Sequence, residues 1–167
     1  MQISIGKPVS GWSLLILEDD AGHTFEGKLS YVDDVLNIFM RAFRVFLESD
    51  QPVAIKFNEE GSDYTIVLGD RDKISILSNK GDTQTVQTLN ITAKDFIVEC
   101  LNELEENLPD WMLFADFDGK YADHEALKYA CECTRLEIDG LRLGARVQLF
   151  QRPDWNSFLE NRRFTHA

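Results

Sequence analysis

One long segment of the chain, residues 33–48, has the polar and apolar spacing of a buried helix. Its polar positions recur every three or four residues and would form one narrow stripe along a helix. These positions are Asp34, Asn37, Arg41, Arg44 and Glu48. The apolar positions would cover well over half of the circumference, more than the roughly 100°-wide stripe of a surface helix. We therefore expect this helix to be central and covered on several sides, with Asp33 as its N-cap.

Alternating apolar and polar positions on both sides of this segment predict six to seven antiparallel strands. The predicted strands are residues 3–5, 12–17, 24–32, 53–57, 64–68, 74–77 and 83–90. Short connections rich in Gly, Asp and Asn separate several of them, which is typical of hairpins. The Glu59-Glu60 pair lies at the tip of the second hairpin, where we expect it to be solvated charge.

The last third of the chain predicts two further helices. Thr92 and Asp95 form an approximate capping box before the first helix, which ends near residue 107. Residues 108–122 are predicted as a loop, residues 124–138 as a helix, and residues 141–150 as a final strand. The fold class is therefore α+β, with an antiparallel sheet of six to seven strands packed on a buried central helix and two further helices C-terminal. We expect one domain over residues 1–167, with a weak boundary near residue 108.

The charge distribution narrows the range of partners. The 167 residues carry 29 acidic and 17 basic side chains, a net charge of −12. Residues 94–125 alone hold ten acids and two bases. Phosphate would be repelled, so we expect no direct nucleic-acid binding and instead a basic protein partner. The alternative is that the acidity only keeps the protein soluble.

Two sequence features predict the compartment. The first residues lack the basic start and apolar run of a signal peptide, and the chain has only three cysteines. No apolar run approaches the roughly 20 residues that cross a bilayer. These features predict a cytoplasmic protein that is not bound to a membrane.

The clustered carboxylates of residues 116–123 do not match a catalytic or metal-binding motif. An apolar run followed by Asp116-Phe-Asp118-Gly119 is similar to the nucleophile motif of haloacid-dehalogenase-type phosphatases, but only 48 residues follow it, too few for that fold. A calcium loop counted from Asp116 would need oxygen ligands where the chain has Lys120 and Leu127.

The remaining candidate ligands and nucleophiles are also unconvincing. Cys131 and Cys133 point apart on a helix, so we expect a core cysteine and an exposed thiol rather than a zinc site with His124. We therefore predict no enzyme, no metal and no cofactor.

The segment from residue 99 to 123 combines aromatic residues with carboxylates, which is typical of a surface that covers a basic protein. The predicted partner-binding residues are Glu99, Glu103, Glu106, Asp110, Trp111, Asp116, Phe117, Asp118 and Asp123. In the alternative interpretation the segment is a lid, in which Trp111, Phe114 and Phe117 close the core and the acids face water.

Three stretches carry a family resemblance: Gly11-Trp12, Ser30-Tyr-Val-Asp-Asp34, and Phe57-Asn-Glu-Glu-Gly-Ser-Asp-Tyr64. The chain resembles a family of small, acidic, uncharacterised bacterial proteins, although relatives are expected to have Pro-Gly in place of Gly61-Ser62. Some proteins of this kind resemble immunity proteins, which bind and block a toxin delivered by a neighbouring cell.

The resemblance implies a cytoplasmic bacterial protein that neutralises a cationic toxin domain, such as a nuclease, by occlusion and charge complementarity. Two alternatives remain open. One is an enzyme with an unrecognised acidic site around Asp116, Asp118 and His124, and the other is a structural adaptor subunit whose apolar helix faces a partner. The identity of the partner and the oligomeric state are also open.

Overall fold

The computed structural model describes residues 1–49, 51–69 and 72–148, and places them in an α+β fold with two antiparallel sheets. The first sheet has the order β1-β2-β3, with strands β1 (Gln2–Ile5), β2 (Trp12–Glu18) and β3 (Thr24–Ser30). Helix α1 (Val35–Glu48) follows. The second sheet contains β4 (Val53–Asn58), β5 (Ser62–Leu68), β6 (Ile74–Lys80) and β7 (Thr83–Leu89), in that order. The helices α2 (Ala93–Glu106), α3 (Leu108–Phe114) and α4 (His124–Gln148) complete the described chain.

The α+β class and the antiparallel strands are as predicted, but the single sheet is not, because β3 and β4 do not pair. Side chains join the two sheets instead. Glu59 Oε1 accepts the backbone N–H of Lys28 (2.8 Å), and Glu60 Oε1 accepts the Ser30 hydroxyl (3.0 Å). The Tyr64 hydroxyl donates to the Lys28 carbonyl (3.2 Å). The hairpin-tip carboxylates therefore bind β3, and the prediction that they are only solvated charge is wrong.

Helix α1 buries most of its apolar positions and exposes its polar stripe, although Val45 is also exposed. Asn37, Arg41 and Arg44 face solvent, whereas Phe39 is fully buried. The ring centroid of Phe39 lies 5.0 Å from that of Phe57 in β4. The buried apolar side of α1 therefore faces the protein's own core.

The N-cap of α1 is Asp34, so the prediction of Asp33 is wrong. Asp34 Oδ1 accepts the Asn37 backbone N–H at 3.3 Å. Asp33 Oδ2 instead accepts the backbone N–H of Asn58 at 2.7 Å, across the fold at the end of β4. The prediction for the next helix is confirmed, because Thr92 Oγ1 accepts the Asp95 N–H at 3.0 Å.

The described part of the C-terminal third contains three helices rather than two. Residues 108–114, predicted as a loop, form α3, and Pro109 is accommodated because it lies in the first turn, where a backbone N–H has no partner within the helix. Helix α4 continues through Gly140 to Gln148, so the final strand predicted for residues 141–150 is wrong over its described part. Residues 149 and 150 lie outside the described residues.

Burial explains why residues 141–148 are helical. Ile138, Leu141 and Ala145 are buried, whereas Leu143 and Val147 are exposed, which is a helical and not an alternating pattern. Ile138, Leu141 and Ala145 belong to the same hydrophobic core as residues of both sheets, on the other side of residue 108. In the described part of the chain, no helix has both the length and the apolar composition needed to cross a membrane.

Candidate partner-binding surface

The predicted partner-binding residues lie on α2, on α3 and in the loop of residues 115–123 that leads to α4. Some of their carboxylates tie the helices to β1 and to the residues that follow it. Glu103 Oε2 accepts the backbone N–H of Ile5 at 3.0 Å, and Asp110 Oδ2 lies 3.4 Å from Lys7 Nζ. Glu103 therefore satisfies a backbone group at the edge of the first sheet, and a change there would affect the fold as well as the surface.

Asp116 and Asp123 organise the loop. The two carboxylate oxygens of Asp116 accept the backbone N–H groups of Lys120 (2.8 Å) and Tyr121 (2.9 Å). Asp123 Oδ2 accepts the Ala126 N–H at 3.3 Å in the first turn of α4. These bonds fix the shape of the loop.

The aromatic residues of the segment divide between core and surface. Trp111 is buried and packs edge-on against Phe114, with ring centroids 5.1 Å apart. Phe117 is 69% exposed, and its ring centroid lies 6.0 Å from that of Tyr31. The lid interpretation therefore describes Trp111, whereas Phe117 presents its ring to solvent.

The other predicted acids are less constrained. Glu99 is half-buried and accepts a 3.4 Å hydrogen bond from Asn102 Nδ2. Glu106 and Asp118 are exposed, and neither forms an ion pair with another described residue. They are therefore available to an external cation.

An acidic groove of about 300 Å³ lies between the start of α1, the end of α3, the 115–123 loop and α4. It brings together four carboxylates from three separate parts of the sequence: Asp34, Asp116, Asp118 and Glu137. Lys120 is the basic residue among those that line it. The contributions of Asp34 and Glu137 leave no signal in the sequence, because neither residue lies near residues 99–123 in the chain. We call this site the acidic groove.

The walls of the acidic groove also include apolar side chains. Leu36, Met40, Trp111 and Met112 line it together with the carboxylates. At one side, Arg44 Nη2 lies 2.9 Å from Glu137 Oε2, which holds that carboxylate in place. Carboxylates above apolar walls suit an arginine or lysine side chain, whose aliphatic stem packs while its charged end pairs.

The acidic groove contains two of the three residues of the enzyme hypothesis. Asp116 and Asp118 line the acidic groove, but His124 does not. Both oxygens of Asp116 are engaged by backbone N–H groups. Within residues 1–49, 51–69 and 72–148, no group of three His, Cys, Asp or Glu side chains could hold a metal ion.

Cys131 and Cys133 have the predicted locations. Cys100 and Cys131 are buried and Cys133 is exposed. Burial raises the pKa of the Cys100 thiol well above its usual value, and burial raises the pKa of Cys131 as well. Both thiols are therefore protonated at neutral pH, unlike the thiolates that act as nucleophiles.

The most buried carboxylate of the described chain, Asp19, was not singled out in the sequence. It lies at the end of the β2–β3 hairpin and accepts the backbone N–H groups of Ala21 (2.9 Å), His23 (2.9 Å) and Asn90 (3.0 Å). The hydrogen bond from Asn90 and then that from the His23 side chain hold its pKa well below the usual range. Its partners are all internal, so we assign it to the fold and not to the surface.

No family model, curated protein or solved structure matches the chain. The resemblance to small acidic bacterial proteins therefore stays a prediction, and only the acidic groove and the charge of the chain bear on its function.

Proposed function

We propose that this chain is a cytoplasmic protein-binding module that covers the basic surface of a partner protein. In its most concrete form it is an immunity protein that neutralises a cationic toxin domain, such as a nuclease, by occlusion and charge complementarity. The mechanism requires no cofactor and no chemical step. The partner is a protein, because a chain with a net charge of −12 would be repelled by phosphate.

The single observation that carries this proposal is the acidic groove. Asp116 is fixed by two backbone N–H groups, and Glu137 is held by Arg44. Asp118 is exposed beside them. Carboxylates already held in place lose little conformational freedom when a partner binds, so an arginine or lysine that enters the groove meets a preorganised site.

Phe117 supplies an apolar anchor next to the charged site. Its ring is largely exposed, and it lies in the chain between Asp116 and Asp118, both of which line the groove. Exposed aromatic residues beside complementary charges are typical of the few positions that contribute most of the binding energy in an interface. We therefore place the centre of the interface at Phe117 and Asp118.

The surrounding charge would act over a longer range. Residues 94–125 have a net charge of −8, from ten acids and two bases. Such a field accelerates the approach of a basic partner and orients it before contact. In a toxin nuclease, the same carboxylates would occupy the positive surface that otherwise binds phosphates of the nucleic acid.

The proposal is tested with the protein encoded by the reading frame next to this gene, where a toxin is expected. Calorimetric titration of its C-terminal domain should give tight binding to the natural chain. The double variant Phe117→Ala, Asp118→Lys should weaken binding by at least about 30-fold, the size of a hot-spot loss.

The matched control is Asp82→Lys, which makes the same charge reversal at an exposed turn between β6 and β7. It should change the affinity by less than about threefold, because Asp82 does not line the acidic groove and a single exposed charge contributes little. Equal binding by the natural chain and the double variant would remove the acidic groove from the interface. A neighbouring metabolic operon and no toxin domain would favour the enzyme hypothesis.

A further inference from the structure

Helix α4 has two apolar faces, of which the fold covers one. On the inner face, Cys131, Ile138, Leu141 and Ala145 are buried in the core. They pack against the neighbouring helices α1, α2 and α3. The opposite face is also rich in apolar side chains, but no described residue buries them.

We call this opposite face the outer seam. It consists of Tyr129, Cys133, Leu136, Gly140, Leu143 and Val147. The intervals between successive members are four, three, four, three and four residues, the spacing of the contact positions in paired helices. Leu136 is 73% exposed, and Tyr129, Leu143 and Val147 are each more than half exposed. Single exposed apolar residues are ordinary, but a continuous stripe of them along a helix marks an interaction site.

We propose that the outer seam of α4 binds the outer seam of a second copy of this chain, with the two helices antiparallel. The proposal is independent of the acidic groove and of any toxin.

Side-chain sizes along the outer seam favour the antiparallel pairing. With the two helices crossing near Ile138, Leu136 of one copy lies opposite Gly140 of the other. Cys133 then lies opposite Leu143, which again sets a small residue against a large one. A Cβ built on Gly140 would have no atom within 4 Å, so the space that receives Leu136 is open. Alternating large and small residues let two helices approach closely and interlock.

Charge also favours a second copy over a basic or an acidic partner. The chain as a whole carries −12, but residues 124–148 hold four acids and four bases, so α4 is neutral. Two copies therefore do not repel each other along this helix. Antiparallel pairing also sets Glu132, beside one end of the seam, opposite Arg146 of the second copy. Both residues are exposed, and neither forms an ion pair within the described chain.

The affinity should be modest. The outer seam extends over 19 residues, from Tyr129 to Val147, which corresponds to about 27 Å of helix. Contact along one helix buries less surface than the interfaces of permanent dimers. We therefore expect a reversible pair with a micromolar dissociation constant.

Sedimentation velocity of the full chain, from low to high micromolar concentration, tests the proposal. The natural chain should shift from the 19.1 kDa monomer to a species of twice that mass. Leu136→Glu should remain monomeric throughout. The matched control Val86→Glu, which also replaces a strongly exposed apolar residue but on β7, should still pair. A natural chain that stays monomeric at every concentration, or a Leu136→Glu variant that still pairs, overturns the proposal.

Two further variants test the register. Glu132→Arg should weaken the pair, and adding Arg146→Glu to it should restore the pair, because the two positions meet only in the antiparallel arrangement. Leu143→Cys should also form an intermolecular disulfide with Cys133 under oxidised glutathione, whereas the natural chain should not. If the natural chain pairs but adding Arg146→Glu does not restore pairing to Glu132→Arg, and Leu143→Cys forms no disulfide, the antiparallel arrangement is wrong.

Discussion

Asp19 shows how one buried carboxylate can connect separate parts of this fold. Its side chain accepts hydrogen bonds from its own hairpin and from Asn90, which directly follows the second sheet. A buried charge is tolerated only when its lone pairs are satisfied, and here backbone N–H groups satisfy them. We therefore expect Asp19 to matter more for stability than the many exposed acids of the chain.

Replacing Asp19 with Asn should lower the midpoint of thermal unfolding by several degrees. At present both carboxylate oxygens accept hydrogen bonds from backbone N–H groups, and an amide NH2 in place of either oxygen would point its own N–H donors at one of these groups. Differential scanning calorimetry measures this shift. The exposed Asp82→Asn variant is the control and should unfold at the natural temperature. A midpoint for Asp19→Asn equal to that of the control would contradict the assigned role.

The same carboxylate predicts a pH dependence. Its pKa is lowered by folding, so its stabilising contribution is present above the usual value of 3.8 and is lost as the pH falls toward the pKa of the folded state. The difference in stability between the natural chain and Asp19→Asn should therefore be smaller at about pH 3 than at neutral pH. Urea unfolding at the two pH values measures it, and a difference that grows on acidification would be the wrong sign.

Gly27 in β3 is predicted to tolerate no side chain. A Cβ at this position would lie 2.6 Å from Cζ of Tyr64 and 2.9 Å from the ring of Phe25. Tyr64 is buried and its hydroxyl is hydrogen-bonded, so it cannot move away easily. Gly27→Ala should cost about 1–3 kcal/mol of unfolding free energy, as overpacking of a core does.

Gly6 provides the control for Gly27. A Cβ there would meet its nearest atom at 3.6 Å, an ordinary contact. Gly6→Ala should therefore leave the unfolding free energy nearly unchanged. If chemical denaturation gave the two variants equal stability, the close contact between β3 and Tyr64 would be wrong.

At the scale of elements, short sequence motifs correctly predicted the features that depend on contacts between residues close together in the chain. Thr92 and Asp95 are three residues apart and cap α2 as expected. Asp33 was a reasonable N-cap by the same rule, but its carboxylate binds the distant Asn58 N–H, and Asp34 caps α1 instead. A hydrogen bond across 25 residues of sequence leaves no local pattern, so this error could not be avoided from the sequence alone.

The end of α4 was mispredicted because its apolar residues fit both the two-residue period of a strand and the 3.6-residue period of a helix. Leu143, Ala145 and Val147 alternate with polar residues as in a strand, and Gly140 suggests a stop. In the fold, Leu141 and Ala145 continue the buried row of Ile138, so packing on the other helices decides the conformation. The outer seam carries the other apolar residues, which explains why both patterns are present.

Two substitutions distinguish helix from strand at this end. In a strand Ala145 and Val147 would share a face, but in α4 only Ala145 is buried. Ala145→Gln should cost at least about 2 kcal/mol, because it forces a large polar side chain into the core. Val147→Gln should change the stability of the monomer by less than about 0.5 kcal/mol. Equal costs in chemical denaturation would contradict the helix.

At the scale of the whole molecule, composition predicted the acidic character of the surface but not the location of the acidic groove. Asp116 and Asp118 were candidates because they lie in an acidic, aromatic segment. Asp34 and Glu137 join them only because α1 and α4 pack side by side. The number of strands could be predicted from alternation, whereas their division into two sheets depends on side chains that replace backbone pairing at β3.

The charge of the molecule predicts that partner binding depends on salt. Raising the ionic strength from about 0.05 to about 0.5 M should slow association by at least about tenfold and change dissociation much less. Surface plasmon resonance with the immobilised toxin domain separates the two rates. Association that is independent of salt would show that the acidic segment does not steer the partner.

The most direct test of the central claim is an inhibition titration of the neighbouring toxin domain with this chain. We predict that one equivalent of the natural chain abolishes the toxin's activity, and that the Phe117→Ala, Asp118→Lys variant requires at least about 30 times more. Asp82→Lys should match the natural chain. A toxin domain that stays fully active with the chain bound, or equal inhibition by the natural chain and the groove variant, would contradict the account.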